Sequence, residues 1–229
     1  MEIIYEDNHI IAVNKACGEI VMIDQTGDAP LTDVVKQYLK EKYQKPGNVF
    51  LGLPHRIDRP TSGIVLMGRT SKVLTRLNKM FQRKEELRKI YWAVVDARPV
   101  PEEGRLEHYI TRSRQVNKSY AHNKEVEGGK LAVMSYRTLA RSDRYFLLEI
   151  DLLTGRHNQI RAQLNRIGVH IKGDLKYGYP RSNPDGGIHL HARQVEFLHP
   201  VRREPVTITA RPPDDPVWNA FLQILDLKD

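Results

Sequence analysis

The chain has 229 residues, 40% of them hydrophobic, with 36 Lys and Arg against 28 Asp and Glu for a net charge of +8. That length allows one large domain or two small ones around a substantial core, and the composition is globular rather than disordered. No apolar run reaches the roughly 20 residues of a membrane helix, and the acidic opening MEIIYEDNHI lacks a signal-peptide layout. The single cysteine, Cys17, excludes an internal disulfide, fits a reducing cytoplasm and sits in no nucleophile motif. The basic excess favours a polyanionic partner, most often nucleic acid.

From the N-terminus, EIIYEDNHIIAVNK reads as two short strands around an Asp-Asn turn. PLTDVVKQYLKEKY predicts an amphipathic helix with Val34, Val35, Tyr38 and Leu39 on one face, ended by KPGN. The stretch HRIDRPTSG, residues 55–63, follows and leads into an apolar strand, GIVLMG. In TSKVLTRLNKMFQRK, helical spacing gathers Val73, Leu74, Leu77, Met80 and Phe81 into an apolar stripe. Arg69, Lys72, Arg76, Lys79 and Arg83 form a basic stripe beside it, facing solvent or phosphates.

KIYWAVVDA is a strand, and residues 105–150 alternate strand-like runs with turns. Within them TRSRQVNKSYAHNKE reads as a mobile basic loop. RYFLLEIDLLTGR is a strand entering a turn. HNQIRAQLNRIG is a helix with Ile160, Leu164 and Ile167 inward and Gly168 as its stop. IHLHARQVEFLHP and EPVTITA are strands, and Asp215 and Pro216 open a last helix, PVWNAFLQIL. Strands outnumber helices and helices do not follow every strand, which argues for a mixed α+β fold over a doubly wound one.

His189 and His191 share one strand face, but no carboxylate or Cys cluster completes a metal site. Neither the phosphate-binding and dinucleotide-binding glycine motifs nor a serine-nucleophile elbow occurs. Attention falls on Asp58, set between Arg56 and Arg59. An arginine beside a carboxylate keeps it ionised and fixes its geometry, which a nucleophilic or electrostatic role requires. Arg161 in TGRHNQIRAQL is a third guanidinium. Taken alone, these residues are better accounted for by a plain structural ion pair.

Three separated segments, HRIDRPTSG, KIYWAVV and LLTGRHNQIRAQL, followed by IKGDLKYG and LHARQVEFLHP, together resemble the RluA family of RNA pseudouridine synthases over nearly the whole chain. The resemblance implies a single catalytic domain over residues 1–229, in the compact form without a separate N-terminal RNA-binding domain. Its α+β fold would be a mixed, mainly antiparallel sheet flanked by helices and loops, with a central active-site cleft. It also implies isomerisation of uridine to pseudouridine in ribosomal or transfer RNA, with no cofactor or metal; the composition adds a cytoplasmic setting with no membrane, and a monomer is the default expectation. The target nucleotide would be turned out of its stack to reach the enzyme.

On this resemblance Asp58 is the essential carboxylate and Arg161 its partner. Tyr91 stacks on the target base and is a candidate for removing the proton from carbon-5. Arg56 helps open the RNA. Arg59, Lys72, Arg76, Lys79, Arg83, Lys89, Arg112, Arg114, Lys118 and Arg156 are expected to face substrate or phosphates. Two positions depart from the family pattern: Ala16 follows Lys15 where proline is usual, and Asn158 precedes Gln-Ile-Arg where histidine is usual. Two other readings are weighed. A catalytically silent RNA-binding or ribosome-assembly protein would bind RNA without turnover. A glycoside or nucleoside hydrolase would need a second carboxylate, for which Asp174 is the motif-linked choice.

Overall fold

The computed structural model describes residues 1–22, 27–83 and 86–227. Lys84, at the end of the basic run, lies outside them. In chain order the elements are β1 (Glu2–Glu6), β2 (Ile10–Lys15), α1 (Leu31–Lys42), β3 (Ser62–Gly68), α2 (Ser71–Gln82), β4 (Leu87–Val95), β5 (Glu103–Ser113), β6 (Lys118–His122), β7 (Lys130–Arg141), β8 (Phe146–Leu152), α3 (Gln159–Arg166), β9 (Leu190–Leu198), β10 (Pro205–Thr209) and α4 (Pro216–Ile224). They fall into two compact units. The first is Met1–Arg88 with Ala192–Arg211; the second is Lys89–His191 with Pro212–Asp229.

In the first unit β2 runs antiparallel to β1 and β3, and β10 pairs antiparallel with β9. Every residue of β3 is buried, as its unbroken apolar run requires of a strand covered on both faces. Thr70 caps α2 by accepting from the Val73 amide, and Val73, Leu77 and Met80 form its buried stripe. In α1 the buried stripe is Leu31, Val35 and Leu39, while Val34 is turned to solvent, against the sequence expectation. Arg69 also departs from expectation. It precedes α2, its side chain is 6% exposed, and it bonds Glu6 and the Asp7 carbonyl beneath the Tyr43 ring. It therefore supports the β1–β2 turn and does not belong to the basic stripe.

The second unit orders its strands β4-β8-β7-β5-β6, with antiparallel pairing throughout. Alternation along β4 serves two cores. Ala93 and Val95 pack with Ile160 and Leu164 of α3, whereas Ile90, Trp92 and Val94 pack with Trp218, Phe221 and Leu222 of α4. Asp215 caps α4 through the Val217 and Trp218 amides, with Pro216 first in the helix, as the sequence predicts.

The segment read as a mobile loop is instead the β5–β6 hairpin, with Arg112 opposite Ser119 and Ser113 opposite Lys118. Its polar alternation hid the strands. Ile110 and Ser119 point into the protein, and Asn117, at φ 46°, turns the chain.

Candidate active site

Asp58 opens a turn in which the Thr61 amide donates to the Asp58 carbonyl at 3.0 Å. The turn is fastened on several sides. Upstream, His55 Nε2 accepts from the Leu66 amide at 2.9 Å, and its ring stacks on Phe81 of α2 at 4.5 Å. Across, Arg59 donates to the Gly18 carbonyl at 3.0 Å and to Asp28 Oδ2 at 2.7 Å, while the Gly18 amide donates to the Arg59 carbonyl. Arg59 thus ties two loops together. Downstream, Gly63 adopts φ +111°, and a Cβ there would lie 2.4 Å from the Ala192 carbonyl oxygen. The turn and strand can meet in this way only through glycine. The result is a half-buried Asp58 beside a buried Ile57 and an exposed Arg56.

Lys15 sits beneath the turn with no exposed surface. Its ammonium donates to the carbonyls of Ala16 at 2.8 Å, Glu19 at 2.9 Å and Arg59 at 3.1 Å. Burial pushes it down to about 8, opposed by Cys17, Glu19 and Asp58. Sequence reasoning noted Lys15 only for the alanine after it. Its signal was a lysine closing a mostly apolar strand.

In the second unit Tyr91 is half-buried on β4, opposite Ile150 of β8, and packs against the α3-side core. Lys89, two residues earlier, points to the same face. Burial pushes its ammonium down to about 8, with Asp151 opposing.

Arg161, on α3, is buried and holds Asp174 with both ends of its fork, Nε to Oδ2 at 2.7 Å and Nη2 to Oδ1 at 2.8 Å. Tyr177 lies under the guanidinium, 4.9 Å from ring centre to Cζ. Asn158 answers the departure seen in the sequence. It takes φ 49° at the start of α3, a left-handed position that asparagine tolerates. It donates to Tyr177 Oη at 3.2 Å and accepts from Arg161 Nη1 at 3.4 Å. The Tyr177 hydroxyl donates to the Ser119 carbonyl at 3.1 Å and accepts from the Ser119 amide at 2.9 Å. Asp174, the second acid a hydrolase would need, is 1% exposed with both oxygens engaged by Arg161.

The expected cations divide by circumstance. Lys72 and Lys79 are exposed on α2, and Arg114 is exposed in the β5–β6 turn. Arg76 donates to the Pro200 carbonyl at 2.7 Å, and Arg83 pairs with Glu86 at 2.7 Å. Arg112 donates to Asn117 at 2.9 Å, Lys118 lies over the Tyr120 and Tyr177 rings, and Arg156 donates to the Leu131 carbonyl at 3.0 Å. His189 bonds Asp215 at 2.8 Å and Asn183 at 2.9 Å and stacks on Trp218. It anchors α4. No helix among the described residues is long and apolar enough to cross a membrane.

The described residues thus hold a fastened Asp58 turn in the first unit and a buried arginine–aspartate pair in the second. Comparison with known proteins makes the class definite. The profile of the RNA pseudouridylate synthase family matches residues 9–166, a span that includes Asp58, Tyr91 and Arg161. The chain belongs to this family, whose enzymes isomerise uridine to pseudouridine. It is 30% identical to tRNA pseudouridine synthase C of Pectobacterium carotovorum subsp. carotovorum, over 92% of this chain and 59% of that longer protein. It is also 30% identical to ribosomal large subunit pseudouridine synthase D of Xylella fastidiosa, over 94% of this chain and 67% of the relative. The fold is that of the human RNA pseudouridylate synthase domain containing 4 structure. That likeness has a TM-score of 0.78 at 22% identity and covers 98% of this chain and 93% of the other.

Proposed function

We propose that the chain converts uridine to pseudouridine in structured ribosomal or transfer RNA, as a cytoplasmic monomer whose whole length serves one catalytic domain. Asp58, Tyr91 and Arg161 carry the chemistry. The observation that supports this most is the fastening of Asp58. Its turn is held by His55, Arg59, Lys15 and Gly63 while the residue stays only partly buried. A carboxylate carried on so firmly held a turn suits a developing positive centre at ribose carbon-1′, because little must reorganise during reaction.

In this reading the bond from carbon-1′ to uracil N1 breaks, with the electron pair leaving on the uracil and Asp58 stabilising the sugar. The uracil turns and carbon-5 bonds to carbon-1′. The proton on carbon-5 is then removed and N1 gains one, so atoms and charge balance. Tyr91 stacks on the base and takes the carbon-5 proton. An ordinary tyrosine at about 10 is a poor acceptor at neutral pH and needs its surroundings to assist. Exposed Lys72, Lys79 and Arg114, with Arg56 at the turn, supply phosphate contacts that offset the cost of unstacking the target.

The deciding experiment measures tritium release from RNA labelled at uracil carbon-5. Wild type should release it and Asp58→Asn should not. Normal release by that variant removes Asp58 from the chemistry. Mapping pseudouridine in cellular RNA with and without the protein separates ribosomal from transfer RNA targets.

A further inference from the structure

The β5–β6 hairpin carries a feature that neither the three motifs nor the phosphate contacts account for. Tyr120 stands on β6 opposite Thr111 of β5, with 44% of its surface exposed. Alternation places Lys118, Tyr120 and His122 on one face, while buried Ser119 points the other way. The Lys118 ammonium lies 5.7 Å from the Tyr120 ring centre and 5.0 Å from that of Tyr177, and Tyr177 in turn lies under Arg161. Aromatic rings and cations therefore alternate from an exposed strand to the buried arginine of the second unit.

Along the hairpin sequence the charge has one sign. Residues 108–124 contain no carboxylate, and they carry Arg112, Arg114, Lys118 and Lys124. Lys176 adds a fifth cation, donating to the Asn117 carbonyl at 3.2 Å at the hairpin turn. A solvent-facing tyrosine beside Lys118 on a hairpin rich in cations is the chemistry of a single-stranded nucleic-acid platform. The ring takes the face of any base, and the cations take the flanking phosphates. A protein surface of matching acidity would satisfy the cations but would leave the ring's flat face without a specific partner.

We infer that Tyr120 is a stacking site for an unpaired base of the RNA outside the target nucleotide, with Lys118 and Arg114 holding the adjoining phosphates. The inference rests on the reading of the chain as an RNA-modifying enzyme. It adds a nucleotide subsite on β6 that favours RNA offering an unpaired base besides the modified uridine.

The test uses fluorescein-labelled oligouridylate and a matched oligonucleotide with abasic ribose units, titrated against the full chain. Tyr120→Leu, which keeps bulk but not the ring, should bind oligouridylate about tenfold more weakly than wild type. Tyr120→Phe should bind as wild type does. On the abasic strand wild type and Tyr120→Leu should be equal, whereas Lys118→Met should weaken both strands. Equal binding of oligouridylate by wild type and Tyr120→Leu overturns the stacking site and leaves the enzymatic reading untouched. A tenfold loss in Tyr120→Leu, from a wild type that releases no tritium from any cellular RNA, upholds the stacking site and overturns the enzymatic reading.

Discussion

Arg161 and Asp174 form a two-bond ion pair in which neither side chain exposes more than 7% of its surface. Guanidinium and carboxylate are matched in shape, so the pair fixes the plane of Arg161 as well as its charge. Tyr177 below and Asn158 beside complete the setting.

Asp174→Asn should therefore destabilise the protein by about 3 kcal/mol, since a buried cation loses its matched anion. Arg161→Lys should do similar damage, because a lysine cannot make both bonds. Urea unfolding followed by circular dichroism checks both; a loss below about 1 kcal/mol would contradict the account.

Gly63→Ala combines a backbone angle unsuited to alanine with a Cβ set 2.4 Å from the Ala192 carbonyl oxygen. The expected cost is about 2 kcal/mol or more. Because β3 begins beside the Asp58 turn, turnover should fall by more than the loss of folded protein explains. Specific activity per folded molecule, measured below the unfolding transition, reads this directly.

Asn158→Ala should cost about 1–2 kcal/mol, from placing alanine at φ 49° and from losing the amide's bonds to Tyr177 and Arg161. Asn158→Gly should recover the backbone part only. If both variants unfold at the same urea concentration, the side-chain bonds and not the backbone set the requirement.

Acid should loosen the fold before carboxylates protonate. His108, His189 and His199 are each held below the ordinary imidazole value by burial, and Arg166 adds to this at His108. Below about pH 6.5 the unfolded chain takes up protons that the folded chain refuses, so stability falls as pH drops. Thermal midpoints should decline between about pH 6.5 and 5. The decline should be shallower in His108→Gln. A flat profile across that interval would contradict the burial argument.

Much of this was legible in the chain itself. The apolar spacing of α2 and the cap at Asp215 are local signals, and each is found where local chemistry puts it. The motifs around Asp58, Tyr91 and Arg161 marked the family without any coordinates. What escaped were residues whose role depends on distant chain. Arg69 looked like one more surface cation until Glu6 and Tyr43 folded over it. Lys15 showed nothing of the three carbonyls that surround it. Asp174 looked like a spare acid, and its engagement by Arg161 needs the turn after α3. The β5–β6 hairpin was hidden because an open strand face needs no hydrophobic alternation, and its inward face is partly served by a serine.

The Tyr177 hydroxyl has one more effect. β6 is the outermost strand of the second unit, and at Ser119 its outward amide and carbonyl are both occupied by that phenol. A stray strand from another molecule, looking for a border to extend, finds this one already closed at Ser119. One phenol thus guards the solubility of a basic, strand-rich protein, and Tyr177→Phe would be expected to aggregate on concentration.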